Sequence, residues 1–109
     1  MTDRTPEVIT RYFNAQSSRD FDTLISLFTH DAVVIDEGKT WNGARGIREW
    51  RDKAASVYQY TTDVLDVKAS SSNEFVAHVH LEGDFPGGTV DLDYRFVLNG
   101  ERIRRLEVS

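Results

Sequence analysis

The sequence predicts an α+β fold, a curved antiparallel (mixed) β-sheet with helices on one face. Two observations carry that prediction. Apolar residues recur at helical spacing through much of the first half of the chain, then switch to the period of two that strands require. Asn99-Gly100, between two strand-like runs near the end, is the strongest hairpin signal in the chain. The 109 residues suit one domain, over 1–109.

Thr5-Pro6-Glu7 reads as a helix start, with Thr5 as N-cap, Pro6 at the first helical position and an acid in the first turn. Val8, Ile9, Tyr12 and Phe13 then fall on one face, and Ser17-Ser18-Arg19 ends the helix. Asp20 caps a second helix, whose apolar residues Phe21, Leu24, Ile25, Leu27 and Phe28 stop at Thr29-His30-Asp31. A strand over 32–36 follows, a turn at Glu37-Gly38-Lys39, and a short return near Thr40-Trp41. The third helix is expected at about 44–57, with Ile47, Trp50, Ala54, Val57 and Tyr58 on its inner side and Arg48, Glu49, Asp52 and Lys53 toward water. Four strands are expected at about 59–69, 74–82, 89–98 and 101–108. No repeat, linker or low-complexity segment interrupts this order.

Composition narrows the function. Six Phe, four Tyr and two Trp give an aromatic core, and the absence of cysteine excludes disulfides, a thiol nucleophile and thiolate metal sites. It also fits a reducing, cytoplasmic location. A net charge of −5 argues against nucleic acid, and no apolar run or signal-peptide core points to a membrane, so a soluble protein is expected.

The organising stretch runs from Ala32 to Gly43 and into Ile47-Arg48-Glu49-Trp50. It delivers the carboxylate of Asp36 to the end of a β-run, beside Trp41 and the start of a helix. Asp36 reads either as the acid of a pocket floor or as a turn former, since Asp suits both. Asp91, Asp93 and Arg95 alternate onto one face of their strand, with Leu92, Tyr94, Phe96 and Leu98 on the other. Which face turns inward decides whether Asp93 reaches a cavity. An ion pair of Asp93 with Arg95, joined by Arg104, is the structural alternative. His78 and His80 share a face at strand spacing, but a metal site needs a third ligand, and none is expected. Ser70 to Ser72 lie in a turn with no neighbouring histidine.

Several strings resemble the nuclear transport factor 2-like superfamily, in its SnoaL-like and ketosteroid isomerase-like branch. They are Arg11-Tyr12, Asp20-Phe21-Asp22 through Leu27-Phe28, His30-Asp31-Ala32-Val33-Val34-Ile35-Asp36, Gly43 with Gly46-Ile47-Arg48-Glu49-Trp50, and Asp93-Tyr94-Arg95-Phe96 before Asn99-Gly100. The resemblance implies a cone of bent strands wrapped around three helices of the N-terminal half, cystatin-like in outline. It implies a small organic molecule as ligand, no cofactor, and a homodimer through the sheet.

Carried over residue by residue, the isomerase branch implies Asp36 as general base, Tyr12 as oxyanion donor and Asp93 as a second, protonated donor. Trp41, Trp50 and Arg95 would contact substrate. Abstraction of a proton next to a carbonyl needs such a base and such donors. The enzymatic reading is therefore an isomerase or lyase of ketosteroid isomerase-like or polyketide cyclase-like type. The alternative is a non-catalytic ligand-binding or dimerisation module of the same fold. Epoxide hydrolysis, with Asp93, Arg95 and Glu107 activating water, is a further option that the resemblance offers.

Overall fold

A computed structural model describes residues 5–57 and 60–109, with side chains over 5–53 and 60–109. The chain runs α1 (Glu7–Ser18), α2 (Phe21–Ser26), β1 (Phe28–Asp36), β2 (Lys39–Asn42), α3 (Gly43–Val57), β3 (Tyr60–Ala69), β4 (Glu74–Gly83), β5 (Thr89–Asn99) and β6 (Arg102–Val108). Among the described residues the strands form one sheet in the order β2-β1-β6-β5-β4-β3. All neighbours are antiparallel except β1 and β6, so the sheet is mixed. Register shifts in the β1–β6, β3–β4 and β5–β6 pairs bend it. No described helix is long and apolar enough to cross a membrane.

The helix-then-strand plan is as the periodicity predicts; the boundaries moved in three places. Pro6, not Thr5, occupies the cap of α1, and its carbonyl accepts from Ile9 and Thr10. Phe28, expected on the second helix, and Thr29-His30-Asp31, expected to be a break, are already strand. The Leu27 carbonyl accepts from the Ile103 amide, so pairing with β6 begins there. The last hairpin turns through Gly100-Glu101, one residue later than expected, with Asn99 paired to Arg102. Asp20 caps α2 as expected, its Oδ1 accepting from the Thr23 amide at 3.2 Å. The expected placements of Ala54, Val57 and Tyr58 lie outside the described side chains.

The core lies between the inner face of the sheet and the helices. Ala32 and Val34 of β1, Ala77, Val79 and Leu81 of β4, Tyr94, Phe96 and Leu98 of β5, and Ile103, Leu106 and Val108 of β6 are all buried. From α1, Tyr12 and Phe13 meet Tyr94 and Phe96 edge-on or tilted, with ring centroids 5.3–6.3 Å apart. Ile47 and Trp50 cover the core from α3. Helix α3 starts at Gly43, whose φ of +68° suits glycine, and a Cβ there would lie 3.3 Å from the His30 carbonyl.

Candidate functional site

Asp36 gets its direction from the pleat of β1. Ala32 and Val34 are buried on the inner face, and Asp36, two residues further, shares it. Its register neighbour on β6 is Val108, which pairs with Tyr94 of β5, which pairs with Ala77 of β4. The carboxylate therefore ends a row of inner-face residues that are otherwise buried. The strand turns at once through Glu37 (φ +54°) and Gly38 (φ +75°), with Asp36 paired to Lys39. Two successive positive φ values are those of a tight hairpin turn whose twist suits the strands.

Helix α3 then comes back over this end of the sheet. Trp50, 4% exposed, donates from indole Nε1 to Oδ2 of Asp36 at 2.8 Å. The next residue, Arg51, is equally buried and stacks its guanidinium 3.6 Å from the Trp50 ring centroid. Arg51 donates to Tyr60 Oη at 3.0 Å and to Gln16 Oε1 at 3.3 Å, and Gln16 in turn donates to Thr62 Oγ1 at 3.1 Å. This chain of hydrogen bonds joins α1, α3 and β3.

Between α3 and the open end of the sheet lies a cavity of about 520 Å³. Asp36, Glu37, Arg51 and Tyr60 give its polar wall; Leu81, Leu92, Tyr94 and Val108 give its floor; Phe85 and Pro86, in the β4–β5 loop, form a rim. That size and the mixture of an apolar surface with a few convergent polar groups are those of small-molecule sites, roughly 300–1,000 Å³. A cleft of about 380 Å³ between the start of α1 and the β5–β6 hairpin holds none of these groups, and Arg11, Glu7 and Glu101 line it.

Of the residues expected at the site, Asp36 lines the cavity; Trp50, expected to contact substrate, is buried behind the wall and reaches it only through its hydrogen bond to Asp36. Tyr12 is wholly buried in the aromatic core and does not line the cavity. Its hydroxyl has no hydrogen-bond partner among the described residues. Burial pushes its pKa well above the ordinary tyrosine value, against the pull of Arg51. Burial likewise pushes Tyr94 up to about 12. Both phenols are thus neutral donors at neutral pH.

Asp93 and Arg95 fall elsewhere. The apolar face of β5 turns inward, so both point out from the opposite side of the sheet. Asp93 hydrogen-bonds Nδ1 of His78, and Arg95 pairs with Glu74 at 2.5 Å, so the expected Asp93–Arg95 pair is not formed either. Glu107 lies on that outer face too, paired with Arg105 at 3.4 Å. The trio invoked for epoxide hydrolysis is therefore separated from the cavity by the sheet, and Asp93 is not placed to act with Asp36. Trp41, half-buried on β2, has the Lys53 ammonium 5.2 Å from its ring centroid and does not line the cavity. His78 and His80 each take a separate aspartate, Asp93 and Asp91. Among the described residues no three metal-ligating side chains converge.

The sequence reading passed over Arg51 and Tyr60. A signal for Arg51 was present: it lies four residues after Ile47, on the buried stripe of α3 instead of its wet face. Tyr60 carries no comparable signal, because its position depends on how β3 pairs with β4.

An α+β cone holding an acid and a cation at a half-apolar cavity defines a class of small-molecule-binding proteins. The chain belongs to the SnoaL-like domain family, which matches residues 9–105, within the nuclear transport factor 2-like superfamily. It is similar to a protein provisionally named a polyketide cyclase from Sinorhizobium meliloti, at 33% identity over 96% of this chain and 95% of that one, with a TM-score of 0.92. A Catenulispora acidiphila protein with a ketosteroid isomerase-like fold, solved with trimethylamine, shares the fold at 18% identity and TM-score 0.87, covering 97% and 86% of the two chains. TerC, co-crystallised with polyporic acid, does so at 18% identity and TM-score 0.84, covering 96% and 91%. No curated protein matches the sequence.

Proposed function

We propose that this SnoaL-like protein binds a compact, partly apolar carbonyl compound in the cavity and moves a proton on it, with Asp36 as general base. The observation that carries this reading is the Asp36 carboxylate on the inner face, lining the cavity, with one oxygen fixed by the Trp50 indole. In the step, a carboxylate oxygen takes the proton from the carbon next to the carbonyl. The electron pair moves onto the carbonyl oxygen. For isomerisation the carboxyl then returns the proton to another carbon; for cyclisation the enolate carbon attacks a second carbonyl of the same molecule and the carboxyl gives the proton to the alkoxide so formed. Trp50 acts as a positioning residue. The family resemblance nominates Tyr12 as the oxyanion donor, but its hydroxyl is buried behind the cavity wall, and the donors that line the cavity beside Asp36 are Arg51 and Tyr60. The Sinorhizobium meliloti relative, with its polyketide cyclase name, supports the same class of chemistry.

Asp36→Asn keeps the shape and an acceptor for Trp50, and removes the base. Assayed on a panel of carbonyl substrates, it is expected to lose about 10²–10⁴-fold in turnover. An unchanged rate on any substrate that the parent protein turns over removes Asp36 from the mechanism. Substrate binding with no turnover by the parent protein would leave a ligand-binding module.

The same reading includes a homodimer through the outer face of the sheet, where Val33, Ile35, Val76 and Val97 lie among charged residues, and a cytoplasmic location, which a cysteine-free chain fits. Light scattering on a gel-filtration peak would reject the dimer by returning a mass of 12.4 kDa.

A further inference from the structure

Helix α3 carries a cation into the molecule without an anion to match it. Arg51 is 4% exposed, and among the described residues no carboxylate lies within salt-bridge distance of it. Among the described residues its hydrogen-bond acceptors, the Tyr60 hydroxyl and the Gln16 amide oxygen, are both uncharged groups, and its buried Nε has no partner. Burial by itself opposes the charge. The intrinsic basicity of a guanidinium outweighs that, so Arg51 is charged at every working pH. Tyr12 and Tyr94 are themselves neutral there, so neither supplies a compensating charge.

A buried ion without a counter-ion is costly, and folds hold one where it has a use. The Trp50 ring face recovers part of that cost. The remaining charge faces the cavity that Arg51 lines, whose other wall is Leu81, Leu92, Val108 and the Phe85 rim. Guanidinium is the group that best matches a planar carboxylate or a delocalised oxyanion, being flat, weakly hydrated and permanently charged.

We propose that the cavity selects organic anions: a flat, mainly apolar body bearing one carboxylate or enolate-like oxyanion, received by Arg51 with Tyr60 beside it. This rests on the reading that the cavity binds small molecules, and it does not require Asp36 to be a base. The field around the site makes the test a strict one. The chain carries a net charge of −5, and Asp36 and Glu37 share the cavity wall, so without Arg51 an anion would bind worse than its neutral twin.

The experiment is calorimetric titration at neutral pH of the intact protein with 2-naphthoate and with 2-naphthamide, which match in shape and differ in charge. The carboxylate is expected to bind at least about tenfold more tightly, the margin of a charge-assisted hydrogen bond over a neutral one. In Arg51→Met that preference should vanish or reverse, and Arg51→Lys should keep part of it. Should Arg51→Met fail to fold, the parent protein's ratio and Arg51→Lys decide. Equal affinity for the two probes overturns the anion inference alone. Failure of both probes to bind overturns the small-molecule reading with it.

Discussion

The indole Nε1 of Trp50 and Oδ2 of Asp36 lie 2.8 Å apart, in a hydrogen bond that joins the middle of α3 to the end of β1. It fixes the direction of a carboxylate that would otherwise swing at the tip of a hairpin. It also explains why a large polar-tipped aromatic occupies this buried place: its ring fills the core while its N–H has an ionisable acceptor.

Trp50→Phe keeps most of the apolar volume and deletes that bond. The loss of a hydrogen bond to a charged group costs about 1.5–3 kcal/mol, which a urea titration would register as a lower midpoint. Turnover should fall about tenfold or more, since the base is no longer held in one direction. A variant with native stability and native rate would show that the bond does neither job.

The two faces of β5 should respond very differently to truncation. Phe96 is wholly buried against Tyr12 and Phe13, so Phe96→Ala should cost about 3–5 kcal/mol. Arg95 is exposed and its ion-pair partner among the described residues is Glu74, in the solvent-facing layer, so Arg95→Ala should cost no more than about 1 kcal/mol. Asp93→Asn, on that same outer face, should leave 2-naphthamide affinity unchanged. A reversed order of stabilities, or lost affinity on altering Asp93, would mean that the strand faces the other way.

Gly43 is a second stability test. Its φ of +68° strains any L side chain, and the His30 carbonyl 3.3 Å from the Cβ position leaves little room. Gly43→Ala should lose about 1–3 kcal/mol, visible as a lower melting temperature. Because α3 starts there, the same variant should also loosen the Trp50–Asp36 contact. An unaltered melting temperature would argue against the left-handed start.

His80 makes stability depend on pH. Its Nδ1 meets Asp91 at 2.5 Å and its Nε2 meets Glu82 at 3.0 Å, with Asp63 opposite on β3. The Asp91 hydrogen bond first, then that of Glu82, raises its pKa above the ordinary 6.5. A raised folded-state value means the contribution is complete below 6.5 and disappears as pH climbs through the folded value. The melting temperature of the parent protein should therefore exceed that of His80→Gln more at about pH 6 than at about pH 8. A gap that is constant or widens with pH contradicts the assignment.

What the sequence determined by itself was local. The α1 stripe of Val8, Ile9, Tyr12 and Phe13, the Asp20 cap, and the alternation along β4 and β5 each depend on neighbours within a few residues, and those set helix, strand and family. The tertiary structure decided where polar side chains point and what they meet. Asp93 could be turned outward only by the packing of Tyr94 and Phe96 against α1. Asp36 could be turned inward only by the shared register of β1 and β6. Arg51 became a buried cation because α3 folds back over a sheet whose strands pair across distant stretches of chain. A side chain's polarity can be read from its letter; its electrostatic surroundings come from residues that the fold, and not the sequence order, brings beside it.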